Sequence, residues 1–468
     1  MAGFCGDIRI VRRFDRILED ITSSGSLAPR KFGADRAAEI AAHRFLGSER
    51  VSAQAILEEA AARTAQACRG RRVVVAQDTT EINFSGRDND RGDLGRGGDA
   101  KSLGFLIHPL VAIDAADGAV LGVVGAKIWS RPIAKIKKHR QKRHLQDKES
   151  MRWIEAAETA CAVLADAAAI VSVGDRENDI YQAFARKPAN VDVITRARAD
   201  RKLVDGGLLF AAADGFARAI EIDVAVAPSQ PRKPGARGRI ARVAVSFGSV
   251  TIAKPKTGRA CADPKSCQLR VVVAREIDPP AGAKPVLWRL LTTLPVENAE
   301  DALEVIRLYR LRWRIEEVFR VLKRDGLALE ETQVQGARRL FNLAALGIVA
   351  AARILQLTDA RNASARPATD VIDESLIEAV DAIGRTLEGS TVKQKNPHPC
   401  GSLSWLSWIT GRLGGWHGYY KPPGPKANAD TDLSPLLVNE SIFYVTNIRI
   451  TISAYRTAAL ISAASRTV

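Results

Sequence analysis

Between Asp301 and Gly326 the apolar residues Leu308, Leu311, Ile315, Val318 and Leu322 recur with helical spacing. At ~100° per residue, Tyr309, Arg312, Glu316 and Lys323 fall at roughly 0°, −60°, −20° and −40°, on one narrow polar face beside that stripe. Glu317 is turned about 100° away and reads as a surface residue or as one that supports the site from behind. The same spacing predicts helices over Ile8 to Ile21, Asp35 to Phe45 and Val51 to Ala65, the last with Ser52 as N-cap. It predicts an amphipathic helix from Asp147 to Ala169 and a buried helix within Leu340 to Leu357.

Short apolar runs predict strands. Arg72 to Gln77 is a buried strand ending at Asp78, and Ala169 to Gly174 is a second ending at Asp175, with a helix starting near Asp179. Phe105 to Asp114 and Val120 to Trp129 form a pair joined by the turn Ala115-Ala-Asp-Gly118. From Val191 to Pro295 the strand-like runs are separated by Pro, Gly and basic loops, which reads as a β-rich insertion. It carries Arg232, Lys233, Arg237, Arg239, Arg242, Lys254, Lys256 and Arg259, a positive surface. The chain therefore divides into an N-terminal helical unit (1–66), an α/β unit (67–365, insertion at about 191–295) and a C-terminal region (366–468) with weak helical signals.

Composition narrows the function. The chain has 468 residues, 46% of them hydrophobic, enough for two or three domains at ~100–200 residues each. Lys and Arg number 69 against 53 Asp and Glu, a net charge of +16, which points to a polyanion such as nucleic acid. The six cysteines form no CxxC pair and no zinc-ligand spacing. No apolar signal core opens the chain, and the run Leu343 to Leu357 is short for ~30 Å of hydrocarbon and contains Arg353. The expectation is a cytoplasmic protein that does not span a membrane.

The chemistry lies in Asp78 and Asp175 at strand ends and Glu316 on a cationic helix face. Rigid strand ends can bring short acids together. Three carboxylates can hold two Mg²⁺ ions about 3.5–4 Å apart, or Mn²⁺ in their place, for in-line phosphoryl transfer. Arg312 offers a planar fork for phosphate and Lys323 a point charge, while Tyr309 can donate to a phosphate oxygen. Bland readings stand beside these. An acid after a strand is commonly a cap, and Arg312 with Glu316 can be an ordinary i,i+4 pair. Trp288 suits a core strand as well as a stacking platform for an unpaired base. His108 reads as a structural residue of its strand.

Tyr309-x₂-Arg312-x₃-Glu316-x₆-Lys323 resembles the Y-R-E-K signature of bacterial DDE transposases of the insertion-sequence-four group, transposon-five type. Val171-Ser-Val-Gly-Asp175-Arg-Glu-Asn-Asp179 resembles the second-Asp block, and Ala76-Gln-Asp78-Thr-Thr the first. Asp147-Lys-Glu-Ser150 with Trp153, His43-Arg-Phe45, Gly401-Ser-Leu-Ser-Trp405 and Arg412-Leu-Gly-Gly415 resemble further segments. The likeness runs from about residue 6 to about 425, and the tail Leu433 to Val468 departs from it. The resemblance implies a ribonuclease H-like catalytic core with Asp78, Asp175 and Glu316 as metal-binding triad. It implies an N-terminal bundle on the transposon end and a helical C-terminal region for dimerisation. Tyr309, Arg312, Lys323 and Trp288 would contact DNA near the cleaved end, Trp288 by stacking a flipped base. Arg196, Arg198 and Arg201 would add further contacts. The implied reaction is cut-and-paste: nicking, hairpin formation and opening, then strand transfer by a homodimer pairing two terminal repeats on target DNA. The alternative class is a non-catalytic, sequence-specific DNA-binding protein of the same fold.

Overall fold

The structure is a computed structural model, and the residues it describes are 4, 7–33, 35–84, 91–98, 102–133, 149–226, 238–255, 263–283, 285–323, 326–360, 366–372, 374–413 and 416. Four helices open the chain: α1 (Ile8–Ser24), α2 (Pro29–Phe32), α3 (Arg36–Gly47) and α4 (Ala53–Cys68). Asp7, Asp35 and Ser52 cap α1, α3 and α4 by accepting from the backbone N–H of Arg9, Ala38 and Ala55. Then follow β1 (Arg72–Gln77), β2 (Thr80–Asn83), β3 (Gly104–Asp114), β4 (Val120–Trp129), α5 (Arg152–Val163), β5 (Ala169–Gly174), α6 (Tyr181–Ala185) and β6 (Val191–Arg196). The next group is α7 (Leu209–Asp214), β7 (Arg218–Val226), β8 (Arg239–Ala253), β9 (Ser266–Glu276) and β10 (Leu287–Thr292). The chain continues with α8 (Ala299–Arg310), α9 (Arg314–Leu322), α10 (Ala337–Asp359), α11 (Ile377–Leu387) and α12 (Leu403–Leu413).

The strands form one ten-stranded mixed sheet. β3 pairs antiparallel with β4 on one side and with β1 and β2 on the other. β5 runs parallel to β1, and β6 parallel to β5. The order β4-β3-β1-β5-β6, three antiparallel strands followed by two parallel ones, is consistent with the ribonuclease H-like core expected above. β10, β9, β8 and β7 continue the sheet antiparallel from β6. The β-rich stretch is thus an extension of the central sheet. Its first expected strand, Val191–Arg196, belongs to the core itself, because it pairs in parallel with β5.

Alternating side chains of β1 serve two cores, as the two-residue period of a strand demands. Val74 and Ala76 join α10, α9 and the N-terminal helices, whereas Val73 and Val75 join Ala156, Ala157 and Ala160 of α5. Covering both faces explains why β1 and β5 read as unbroken apolar runs. Helix α10 is the central strut, packed against α1, α3, α4, α9, α12 and β4. It is long and apolar enough to cross a membrane, yet 89% of its most apolar window is buried inside the protein. Phe14, Leu18 and Ile56 share a core with Leu343 and Leu346, so the N-terminal helices are continuous with the rest of the fold.

Two expected helices differ in extent. The amphipathic segment after Asp147 is helical only over Arg152–Val163, preceded by a 3-10 turn at Glu149–Met151. The expected helix from Asp301 to Gly326 is broken by a 3-10 turn at Leu311–Trp313. The cations Arg232, Lys233, Arg237, Lys256 and Arg259, and the tail after residue 416, lie outside the described residues.

Candidate active site

Ala76 of β1 lies opposite Val173 of β5 in the parallel register, so two residues on, just past both strand ends, Asp78 comes level with Asp175. Asp78 Oδ1 accepts from Thr79 N at 2.7 Å. Asp175 Oδ1 accepts from Glu177 N at 2.7 Å, and its carbonyl accepts from Thr195 Oγ1 at 2.7 Å. Glu316 arrives on the first turn of α9, which packs against β1. The break at Leu311–Trp313 turns Arg312 into the protein. Arg312 Nη1 lies 2.8 Å from Asp78 Oδ2 and 3.7 Å from Glu316 Oε1.

These groups form one electrostatic cluster. Asp78 is pushed up to about 6 by burial, then by the charge of Asp175, with a smaller push from Glu316, while Thr79 N–H and Arg312 oppose the rise. Tyr309 is 4% exposed, and burial raises its phenol, with Arg312, Arg196 and Asp175 close enough to act on it. The ring of Trp288 on β10 stands edge-on to Tyr309, centroids 5.4 Å apart. Arg196 donates to Leu287 O at 2.8 Å and is lowered by burial and then by Arg176 and Arg312, a concentration of positive charge beside the acids. Asp78, Asp175, Glu316, Arg312, Tyr309, Trp288 and Arg196 therefore lie in one neighbourhood.

The sequence profile of the family described as the transposase DDE domain matches residues 70–353, more than half of the chain. The chain belongs to this family. The transposase is thus one of a group that uses divalent metal ions and acts on DNA.

The remaining expected residues of the transposase separate. Lys323 closes α9 as its C-cap. Arg198 is exposed. The guanidinium of Arg201 is held on Asp179 Oδ1 at 2.6 Å, with side chains 10% and 0% exposed. Asp179, read from the sequence as a helix start, also accepts from Arg198 N and Ala199 N, so it organises this loop. Tyr309 and Arg312 are buried rather than displayed on an outer helix face. Glu317 is not a surface residue. It pairs with Arg314, which also grips Asp359 at the end of α10 with two contacts of 2.5 Å. Asp359 Oδ2 in turn accepts from Val120 N at 3.0 Å, so this cluster sets the roll of α9.

Several residues near the acids were given no role from the sequence, although most lie within the two Asp blocks quoted above. Arg176 is an exposed cation directly after Asp175. Gln77, Thr79 and Glu177 flank the two aspartates, and Arg152 reaches Thr79 and Glu177 from α5.

An all-oxygen, carboxylate-rich donor set is what hard divalent cations take. Burial raises Asp78 most, and the repulsion by Asp175 and Glu316 that adds to it is what such a cation relieves. In this arrangement a guanidinium stands between Asp78 and Glu316, and among the described residues no three acids, histidines or cysteines close into a finished ligand cluster. The donors fit the metal in kind, and binding it requires Arg312 to yield.

Proposed function

We propose that this transposase cuts and joins DNA with Asp78, Asp175 and Glu316 as its catalytic carboxylates. The observation that carries this reading is the bridge of Arg312 between Asp78 and Glu316, at two strand ends where Asp78 and Asp175 are level. The triad would hold two Mg²⁺ ions, or Mn²⁺ in their place, which supply an activated water or 3′-hydroxyl and stabilise the leaving oxygen. The chain's own groups do the rest. Arg312, once drawn off Asp78, meets a backbone phosphate with its planar fork, and Lys323 and Arg198 add point contacts. Tyr309 supports Trp288 from its edge and turns its hydroxyl toward the same cations. Trp288 then offers a face for a displaced base beside the cut.

The Y-R-E-K spacing supports the insertion-sequence-four group and its cut-and-paste course, with nicking, a hairpin at the element end, hairpin opening and strand transfer. We infer a homodimer that pairs two terminal repeats on target DNA in the cytoplasm. The test uses purified protein and a labelled copy of its element's terminal repeat, with Mg²⁺ or EDTA, on a denaturing gel. Nicks and a hairpin at the element boundary are expected only with metal. Glu316→Gln should abolish them and leave a native-gel shift intact. Full cleavage by that variant removes Glu316 from the triad.

A further inference from the structure

Arg152 lies at the start of α5, between Ser150 and Trp153, with no role assigned to it from the sequence, and its side chain is only 8% exposed. Its Nε donates to Thr79 Oγ1 at 2.8 Å, its Nη1 to Glu149 O at 2.9 Å, and its Nη2 to Glu177 Oε2 at 2.6 Å. Thr79 is the residue after Asp78, and Glu177 is two after Asp175. One guanidinium therefore ties the two loops that carry the paired aspartates.

A second path closes the link from below. Thr79 Oγ1 accepts from Arg152 and so has its own proton to give to His108 Nδ1, 2.9 Å away. That leaves the ring proton on His108 Nε2, which donates to Gln77 Oε1 at 3.1 Å. Gln77 Nε2 donates to Ser172 Oγ at 2.6 Å. Gln77 and Thr79 bracket Asp78 at the end of β1, while Ser172 and Glu177 bracket Asp175 at the end of β5. The polar chain from Arg152 to Ser172 joins both brackets. Trp153 packs edge-on against His108, centroids 4.6 Å apart, and with Trp129 it lies near the guanidinium.

We propose that Arg152 is a positioning residue that fixes the separation and aim of Asp78 and Asp175, with Thr79, His108 and Gln77 as the transmitting chain. This rests on the reading of the two aspartates as metal ligands. Hydrogen-bond partners behind metal ligands typically govern metal affinity by roughly 10–100-fold. The loss of Arg152 should therefore be felt in metal binding before it is felt in DNA binding.

The test titrates Mn²⁺ into the full-length protein without DNA, read by electron paramagnetic resonance, and measures terminal-repeat binding in EDTA and the thermal midpoint alongside. Arg152→Gln should weaken Mn²⁺ binding by about tenfold or more, and DNA affinity in EDTA should stay within about twofold. Glu177→Gln cuts the bridge at its exposed end, where the acid is 58% exposed, and tests it without burying a hole. Thr79→Val should copy the loss, and Thr79→Ser, which keeps the hydroxyl, should restore wild-type affinity. If Arg152→Gln does not fold, the Glu177 and Thr79 variants decide. Wild-type Mn²⁺ affinity in the folded variants overturns the positioning role. Failure of the wild-type protein itself to bind Mn²⁺ overturns instead the assignment of the carboxylates.

Discussion

Arg312→Ala removes the cation that now stands between Asp78 and Glu316. Its guanidinium is 2.8 Å from Asp78 Oδ2, and the two side chains are only 9% and 18% exposed. A hydrogen bond to a charged group contributes a net ~1.5–3 kcal/mol. A divalent ion must displace that bond before it can use Asp78. At ~1.4 kcal/mol per factor of ten, the variant should bind Mn²⁺ about one to two powers of ten more tightly in the absence of DNA. The sign depends on pH. Asp78 already sits at about 6, and Arg312 opposes the rise, so without it the carboxyl moves higher. The measurement belongs at about pH 8, where the acid is ionised in both proteins and a proton does not mask the gain. Isothermal titration with Mn²⁺ gives the affinity, and a native gel in EDTA should show weaker binding to the terminal repeat, since a phosphate contact is gone. Unchanged or weaker Mn²⁺ binding by a folded variant would refute the competition between guanidinium and metal.

Trp288→Ala should impair hairpin formation more than first-strand nicking, read as the ratio of the two products on a denaturing gel; equal loss of both returns Trp288 to a packing role against Tyr309. His108 is wholly buried and held well below its usual range, by burial first and then by Arg152 and Lys127. Its contribution to stability is full above an unfolded value of about 6.5 and is lost as pH falls below it, by up to ~1.4 kcal/mol per pH unit. Urea midpoints of wild type and His108→Gln should therefore converge on going from about pH 7.5 to 5.5, and a constant difference contradicts this. Arg201→Ala strands the buried carboxylate of Asp179 and should cost about 3–5 kcal/mol of stability. The salt dependence of DNA binding should stay unchanged in that variant, whereas a shallower slope of log affinity against log salt would restore Arg201 as a phosphate contact.

What the sequence made legible follows from which interactions are local. The runs before Asp78 and Asp175 were readable because both faces of β1 and β5 are covered, and a strand buried on two sides has no polar alternation to blur it. The turn Ala115 to Gly118 and the cap at Ser52 carry their own chemistry within a few residues. The helix through Tyr309 and Glu316 was readable as helical but not as broken, because apolar spacing tolerates a short 3-10 turn. The burial of Arg312 was invisible because its partner Asp78 lies 234 residues away. Arg201 resembled a DNA contact for the same reason, since nothing in its own segment points to Asp179. Strand Val191–Arg196 had the texture of the insertion, and only its pairing with β5 assigns it to the core.

Helix α10 gives the molecule the character of a caliper. It spans 23 residues, about 35 Å at ~1.5 Å each, close to the length of ten stacked bases at ~3.4 Å. This rod packs against α1, α3 and α4 and against α9, which carries Glu316. Its end is pinned to α9 through Asp359 and Arg314. The N-terminal helices and the helix that carries Glu316 are therefore both seated on one stiff object rather than joined only through loops. A shared seat of that kind tolerates drift in the connecting segments but not a kink of its own, such as a proline within α10 would impose.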